Sequence, residues 1–167
     1  MIEETLDNVV TKQDYPGELE ILVSRNEYET ASGLMGRLRG YLPNRWPEWF
    51  SPTPFDLDGG GFGPFEASRP LTEAEDAWIV ATPGHTSGHV SVVLEVDGCS
   101  IFFAGDTSYT EDLMLSCAVD GVSPDVQKAR HTVEQIREFA SQTPVVYLPT
   151  HDPQAGARLV NRQTVAA

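Results

Sequence analysis

The chain has 167 residues, a length that suits one domain with a sizeable buried core. Hydrophobic residues make up 40% of it, which excludes a disordered polymer, and no apolar run approaches the roughly 18 residues of a transmembrane helix. A net charge of −14 repels phosphate backbones and anionic lipid heads, so we expect neither nucleic acid nor a membrane as a partner.

The N-terminal stretch, residues 1–17, reads as a charged lead-in that ends at a Pro-Gly turn, and residues 18–167 read as one domain. The first residues are acidic and lack the basic and then apolar layout of a secretory signal. The two cysteines, Cys99 and Cys117, are too few for a disulfide framework, and Cys99 is expected to be a buried small hydrophobe. We therefore expect a cytoplasmic, reducing environment.

The upstream third of the domain is predicted to be one strand, one short helix and a long loop. Glu18 to Ser24 alternates and then becomes continuously apolar, which predicts the strand, and Asn26 is placed to cap a helix through Ala31. Residues 33–63 are rich in glycine and proline and predict a loop long enough to wall a binding site. Most of its aromatic residues are nevertheless expected simply to pack the loop onto the body. The aromatic residues of the loop are Tyr41, Trp46, Trp49, Phe50, Phe55 and Phe62.

The middle of the chain predicts a short buried strand followed by a hairpin. Trp78 to Ala81 is a continuous apolar run. Val90 to Val96 and Ser100 to Ala104 flank Asp97-Gly98, a dipeptide that favours the positive φ angles of a type I′ turn. These segments predict an antiparallel sheet.

The downstream third predicts a helix, a strand and a final short helix. Ser123 is expected to cap the long helix, with Pro124 at its first position and its end before Pro144. Val145 to Leu148 predicts a buried strand, and Pro153 to Val160 a helix that covers the sheet. The apolar stripe of the long helix is expected to comprise Val126, Ala129, Val133, Ile136 and Ala140.

Histidine and aspartate follow three of the predicted strands. His85 comes after the first, on a turn whose glycines prevent it from pairing with His89 on a helix. Asp106 ends the second strand of the hairpin, where a carboxylate is costly unless it meets a cation or several donors, and His151 ends the last strand. This pattern indicates a metal site or an acid–base site, since a rigid sheet can present such side chains together.

The motifs T-P-G-H-T-S-G-H, F-F-A-G-D-T-S-Y-T and L-P-T-H-D, in this order, resemble the C-terminal half of the metallo-β-lactamase superfamily. The similarity is greatest to its N-acyl-homoserine lactonase-like hydrolases. The resemblance implies an α/β fold, an αββα sandwich, of which this chain is the incomplete C-terminal half. It also implies two divalent metal ions, commonly zinc, between the edges of the two sheets.

The resemblance further implies residue roles. His85 and His151 would each be a ligand of one metal, Asp106 would bridge both, and Tyr109 would hydrogen-bond the carbonyl of the substrate. His89 would orient the turn that carries His85. From the residues alone, Tyr109 could equally be a loop aromatic that rests on the surface.

The sequence departs from the family at its upstream end. Members carry an H-x-H-x-D-H signature, but this chain has four histidines and none in its first 84 residues. At most one histidine and one aspartate remain for each ion, whereas a stable catalytic zinc site needs three protein ligands. His131 lies off the apolar stripe and is expected to be a solvated surface residue. We therefore expect weak metal occupancy, impaired activity and an uncovered apolar sheet face. A homodimer or a missing N-terminal half would cover this face, and otherwise the chain would be marginally stable.

The function implied by the resemblance is metal-dependent hydrolysis of a small lactone or carboxylic ester. One alternative is a thioester hydrolase of the glyoxalase II type, which shares the G-H-T and G-D-T elements. A second alternative is a non-catalytic remnant or interaction module of the same fold. Metal content discriminates between them, because an enzyme would hold near two equivalents and a remnant near none.

Overall fold

The computed structural model describes residues 20–38 and 41–166, so the expected lead-in at 1–17 lies outside the described residues. Within this part of the chain, the strands form a five-stranded sheet in the order β3-β4-β5-β6-β7 and a small parallel sheet of β1 and β2. The strands are β1 (Leu22–Ser24), β2 (Thr53–Phe55), β3 (Ser68–Pro70), β4 (Ala77–Ala81), β5 (Val90–Val96), β6 (Cys99–Gly105) and β7 (Val145–Pro149).

The five-stranded sheet is antiparallel from β3 to β6, and β7 joins β6 in parallel. The predicted hairpin is confirmed, since β5 and β6 pair around Asp97 and Gly98, whose φ angles are +53° and +76°. The connection from β6 to β7 contains the long helix, as a parallel pair requires. The helices are α1 (Arg25–Ser32), α2 (Leu34–Leu38), α3 (Glu111–Leu115), α4 (Val126–Gln142) and α5 (Ala155–Asn161), with a 3-10 turn at Pro43–Arg45.

The main core lies between the five-stranded sheet and α4. Val133 and Ile136 of α4 are fully buried, as are Phe102 of β6 and Tyr147 of β7. Burial of such apolar surface is the main stabilising term for this layer. No helix in the described part of the chain is long and apolar enough to cross a membrane.

The opposite face of the sheet is less covered. Phe103 on β6 is 39% exposed, and Val92 on the neighbouring strand is only half-buried. A groove runs over this face beside α5, where Leu148 and Leu159 also line it. The apolar face expected from the sequence is therefore present, and α5 covers only its β7 end.

Several predicted element boundaries were wrong. Ser24, not Asn26, caps α1, because its hydroxyl accepts the N–H of Glu27. Asp125, not Ser123, caps α4 and accepts the N–H of Lys128, so the helix begins two residues later than Pro124 suggested. Capping depends on which side chain can reach the free N–H groups, and neighbouring candidates in a sequence look alike.

Other corrections concern burial and missed elements. The predicted loop of residues 33–63 contains α2 and β2, and the predicted strand from Glu18 is described as β1 only over Leu22–Ser24. Val126 is 51% exposed, because it lies in the first turn of α4 beyond the sheet, while Ala129 is buried as expected. Cys99 is half-buried rather than buried. The short elements β3 and α3 were not predicted, since each is too short to show a period.

Candidate metal centre

The candidate site lies at one edge of the five-stranded sheet. Strands β4, β6 and β7 run in the same direction, since β4 and β6 are both antiparallel to β5 and β7 is parallel to β6. Their C-terminal ends therefore meet at a common edge. His85 follows β4, Asp106 follows β6 directly and His151 follows β7.

The carboxylate of Asp106 stands between the two imidazoles. Its Oδ2 lies 3.6 Å from Nε2 of His85, and its Oδ1 lies 3.5 Å from Nε2 of His151. The side chains of His85 and Asp106 are 26% and 31% exposed, whereas His151 is 57% exposed. The structure thus brings these three residues together in a site that opens to solvent at His151.

The first helix holds the turn that carries His85 from one side. The hydroxyl of Ser24 donates to the carbonyl of Gly88 over 2.6 Å, and the amide of Asn26 donates to the carbonyl of Ser87 over 2.8 Å. Glu27 accepts the N–H of Gly88 at 3.2 Å, and a Cβ on that glycine would lie 2.3 Å from the backbone nitrogen of Glu27. Only glycine permits this approach of helix to turn.

The long helix α4 holds the same turn from the other side. Thr132 donates its hydroxyl proton to the carbonyl of Pro83 over 2.6 Å. Gly84 packs so closely that a Cβ there would lie 2.4 Å from the Cα of Ala129. The turn from β4 to β5 is therefore fixed between two helices before any ligand binds.

His89 contacts the backbone of the aspartate loop. Its Nε2 accepts the N–H of Asp106 at 3.1 Å, so its proton resides on Nδ1, which faces Thr82. Burial lowers the pKa of His89 below its usual value, which keeps the ring neutral at neutral pH. Gly105, with φ of +57°, makes room for the ring, because a Cβ there would lie 2.8 Å from Nε2. His89 therefore contacts Thr82, at the start of the His85 turn, through Nδ1 and the backbone of Asp106 through Nε2. That it orients the His85 turn stays a prediction.

Tyr109 packs on the more exposed histidine. Its ring centroid lies 5.0 Å from that of His151, at an interplanar angle of 72°. Partial burial raises the pKa of the Tyr109 hydroxyl, and the carboxylates of Asp120 and Asp106 raise it further. The hydroxyl therefore stays protonated at neutral pH and is a hydrogen-bond donor beside the site.

Asp120 is a site residue that sequence reasoning missed. Its Oδ2 lies 3.6 Å from Nδ1 of His85, on the side of the ring away from Asp106, and its side chain is 4% exposed. It belongs to the loop between α3 and α4, where an aspartate before Gly, Val and Ser looks like an ordinary turn residue. Only the folded loop brings it to the ring.

A buried polar network below the site joins its two loops. The guanidinium of Arg158 contacts Asp152, next to His151, and lies 3.4 Å from Glu111. Nearby, the hydroxyl of Tyr147 lies within 2.9 Å of the hydroxyls of Thr107 and Ser108. Burial raises the pKa of Tyr147 to about 12. The network was not predicted, because its members are scattered in the sequence.

The aromatic residues of 41–62 behave as the sequence suggested for most of them. Phe62 packs on Trp78 and Phe139, with ring centroids 5.1 and 5.7 Å apart. Trp46 stacks on Tyr28 of α1 at 5.9 Å. These contacts attach the loop to the body. That the loop also walls a substrate pocket stays a prediction. His131 is exposed, as expected.

The donor types and spacings suit divalent metal ions, but the described donor set is incomplete for each ion position. Two donors on one tetrahedral zinc ion lie about 3.3 Å apart, close to the separations on either side of Asp106. Nδ1 of His85 and Oδ1 of Asp106 are buried and have no hydrogen-bond partner among the described residues. Within residues 20–38 and 41–166, however, no three His, Cys, Asp or Glu side chains converge on a single ion position. Each ion would receive two described donors.

The structure is thus a mixed α/β domain that gathers two histidines around an aspartate at one sheet edge. The family profile described as the metallo-beta-lactamase superfamily matches residues 25–151. The chain therefore belongs to the metallo-beta-lactamase superfamily, as its motifs implied. No curated protein matches it significantly.

Solved structures with the same fold include N-acyl homoserine lactone hydrolases. One, with the product N-hexanoyl-L-homoserine at its catalytic metal centre, is 20% identical, with a TM-score of 0.63 over 84% of this chain and 50% of that one. A mutant of B. thuringiensis AiiA, with N-decanoyl-L-homoserine at its active site, is also 20% identical, with a TM-score of 0.63 over 84% of this chain and 50% of that one. A probable metal-dependent hydrolase from Staphylococcus aureus is 15% identical, with a TM-score of 0.60 over 78% and 44%. The chain spans about half the length of these proteins.

Proposed function

We propose that this chain supplies the downstream half of a dinuclear metal site in a hydrolase of lactones or other carboxylic esters. The observation that carries the proposal is the placement of Asp106, whose two oxygens face two different imidazoles at 3.6 and 3.5 Å. One carboxylate that faces two histidines is suited to bridge two ions. His85 and His151 would hold one ion each, and zinc is among the ions that imidazole donors suit.

The bound ions would supply an activated water at neutral pH and polarise the carbonyl of the substrate. The chain's own residues contribute the rest. The protonated hydroxyl of Tyr109, beside His151, is placed to donate a hydrogen bond to a carbonyl oxygen as negative charge develops on it. His89 fixes the backbone of Asp106 through the N–H that it accepts.

The exposure of His151 supports entry of substrate from its side. His151 is the most exposed of the histidine and aspartate side chains at the site, and Tyr109 packs beside it, whereas His85 lies between Asp106 and Asp120. A small ester or lactone would approach from the side on which the phenol and the more exposed imidazole lie. The lactonase structures that share the fold make a lactone the first substrate to test.

Metal binding tests the proposal directly. Zinc is titrated into the purified, metal-free chain, with a chromophoric chelator as competitor. We expect wild-type protein to bind zinc, and Asp106→Asn to bind far more weakly, because this residue is shared by both ion positions. His131→Gln, which changes an exposed histidine, is the matched control and should bind as wild type does. Equal affinity of the Asp106→Asn variant and the wild type would contradict the proposal.

Activity is measured on the same zinc-loaded proteins with an N-acyl homoserine lactone, a simple ester and a glutathione thioester. Lactone or ester turnover that is lost in Asp106→Asn supports the proposed function. Tyr109→Phe should lower kcat more than it raises KM, since its hydroxyl acts on developing charge. Turnover of the thioester alone would favour a thioesterase instead, and metal binding without any turnover would favour a non-catalytic domain.

A further inference from the structure

One ring nitrogen of His85 is buried without a partner. Nδ1 makes no hydrogen bond within the described residues, although a buried polar atom normally has one. The nearest acceptor that faces it is Oδ2 of Asp120, at 3.6 Å. The other ring nitrogen faces Asp106, and the ring of His89 lies 6.2 Å away, centroid to centroid. Asp120 is therefore the acceptor placed to serve Nδ1.

The loop of Asp120 fixes how its carboxylate is oriented. Oδ1 accepts the backbone N–H of Ser123 at 2.7 Å and that of Val122 at 3.1 Å. Oδ2 is left facing His85. The side chain is nearly inaccessible, so solvent does not compete for that oxygen. The loop holds the carboxylate as a fixed acceptor beside the ring.

We propose that Asp120 is a positioning residue for His85. Its Oδ2 accepts a hydrogen bond from Nδ1–H and so selects the tautomer in which the lone pair of Nε2 faces Asp106 and the metal position. The separation of 3.6 Å exceeds the usual limit of about 3.2 Å by a few tenths of an ångström, so the hydrogen bond requires the two side chains to approach by that amount. The inference rests on the proposed function for the metal, but the tautomer is a property of the metal-free chain.

The tautomer matters because a neutral imidazole has one N–H and two carboxylates compete for it. With the proton on Nε2, His85 would donate to Asp106, and its lone pair would lie on Nδ1, away from the metal position beside Asp106. With the proton on Nδ1, it donates to Asp120 and Nε2 is free. A carboxylate behind a metal-binding histidine acts in this way, by fixing the ring and raising its basicity.

The variant Asp120→Asn reverses the preference. Its amide oxygen must take the place of Oδ1, because two backbone N–H groups point there. The NH₂ group then faces His85 and needs Nδ1 as an acceptor, which moves the ring proton to Nε2. Asp112→Asn is the matched control, since it removes one exposed carboxylate from the preceding helix.

The tautomer is measured by long-range ¹H–¹⁵N NMR on the metal-free chain at a pH where imidazole is neutral, with His85→Gln used to assign the signals. We expect Nδ1–H in the wild type and in Asp112→Asn, and Nε2–H in Asp120→Asn. Nε2–H in the wild type overturns the proposal, and this result needs no folded variant. An unchanged Nδ1–H tautomer in Asp120→Asn overturns it as well.

Zinc competition on the same proteins gives a second readout. A lost carboxylate partner of a metal-binding histidine typically costs about 10–100-fold in metal affinity, and we expect that loss for Asp120→Asn but not for Asp112→Asn. Equal affinities in the wild type and Asp120→Asn count against the positioning role. If no variant and no wild-type protein binds zinc, the proposed function fails, while the NMR result still decides the role of Asp120.

Discussion

Replacement of Arg158 by methionine should destabilise the fold more than any change to a surface ion pair. Its side chain is 7% exposed, and Nε donates to the carbonyl of Tyr147 at 3.1 Å. The guanidinium also contacts the buried carboxylate of Asp152 and lies 3.4 Å from that of Glu111. Methionine fills a similar volume, so the perturbation is mainly loss of charge and of donors.

The expected loss of unfolding free energy depends on the two carboxylates that lose Arg158 as a partner. Asp152 keeps two backbone donors, from Glu111 at 3.1 Å and from Gln154 at 2.8 Å, so its charge stays partly compensated. Glu111 has a buried oxygen with no hydrogen bond to the described residues, and would lose its cation. Removal of one partner from a buried ion pair costs about 3–5 kcal/mol. That is a large part of the roughly 5–15 kcal/mol that stabilises an ordinary domain.

The assay is urea unfolding of Arg158→Met and of wild type, from pH 7 down to pH 3. Burial raises the pKa of Asp152, but hydrogen bonds from Arg158, Gln154 and Glu111 lower it more, so the net pKa lies below its usual value near 3.8. This depressed pKa stabilises the fold above that value, and the stabilisation is lost as the pH falls through the folded-state pKa. Without Arg158 the pKa of Asp152 rises. The difference in unfolding free energy between wild type and Arg158→Met should therefore become smaller in acid, as the carboxylates become protonated.

The matched control is Arg162→Met, which removes the same side chain from an exposed pair. Arg162 and Asp97 are 59% and 73% exposed, and such pairs contribute at most about 1 kcal/mol. If Arg158→Met costs no more than this control, or if its cost is independent of pH, the buried network does not stabilise the loops as argued. If Arg158→Met does not fold, Arg158→Lys replaces it in the assay. Lysine keeps the positive charge but lacks the planar set of guanidinium donors, so its loss of unfolding free energy should lie between those of wild type and Arg158→Met.

Three further predictions concern close packing, a buried hydroxyl and the uncovered sheet face. Gly105→Ala should be less stable than Gly98→Ala by at least about 1 kcal/mol in urea unfolding, because both have positive φ but only at Gly105 would a Cβ meet His89. Tyr147→Phe removes the partner of the Thr107 hydroxyl, while Ser108 keeps its hydrogen bond to the carbonyl of Thr110, and should cost about 1–3 kcal/mol. Because the pKa of Tyr147 is raised from 10.0 to about 12, wild-type stability should fall as pH rises through that window, and the variant should lose this dependence. The wild-type chain should bind a dye for apolar surface, and Phe103→Gln should bind less of it, because Phe103 lies on the uncovered sheet face. A wild-type chain that elutes as a monomer in size-exclusion chromatography and binds no dye would contradict this.

Much of the sheet and the centre of the site could be predicted because local patterns determine them. The Asp97-Gly98 turn fixes the hairpin register, and the hairpin places Asp106 at a strand end. Apolar runs before His85 and His151 place these residues at strand ends too. Strand direction then brings all three to one edge, so the site follows from chain order and topology.

The supporting residues could not be predicted, because their partners are distant in the sequence. Arg158 looks like a surface residue of a short helix until Asp152 and Glu111 enclose it. Asp120 forms an ordinary turn, and only the fold brings it to His85. Ser24 and Asn26 are adjacent capping candidates, and the choice between them depends on where Gly88 packs. Long-range contacts of this kind leave no period or spacing in the sequence.

Different contacts hold the His85 turn and the loops that carry Asp106 and His151, and Asp106 lies between the two histidines. The His85 turn is fixed between α1 and α4, whereas the loops that carry Asp106 and His151 are joined by the Arg158 network. His89 connects the two sides through the backbone of Asp106. Folding alone would not favour the unpartnered Oδ1 of Asp106, since such an atom costs stability. Rigid support around an unsatisfied donor set is what the proposed metal site would require.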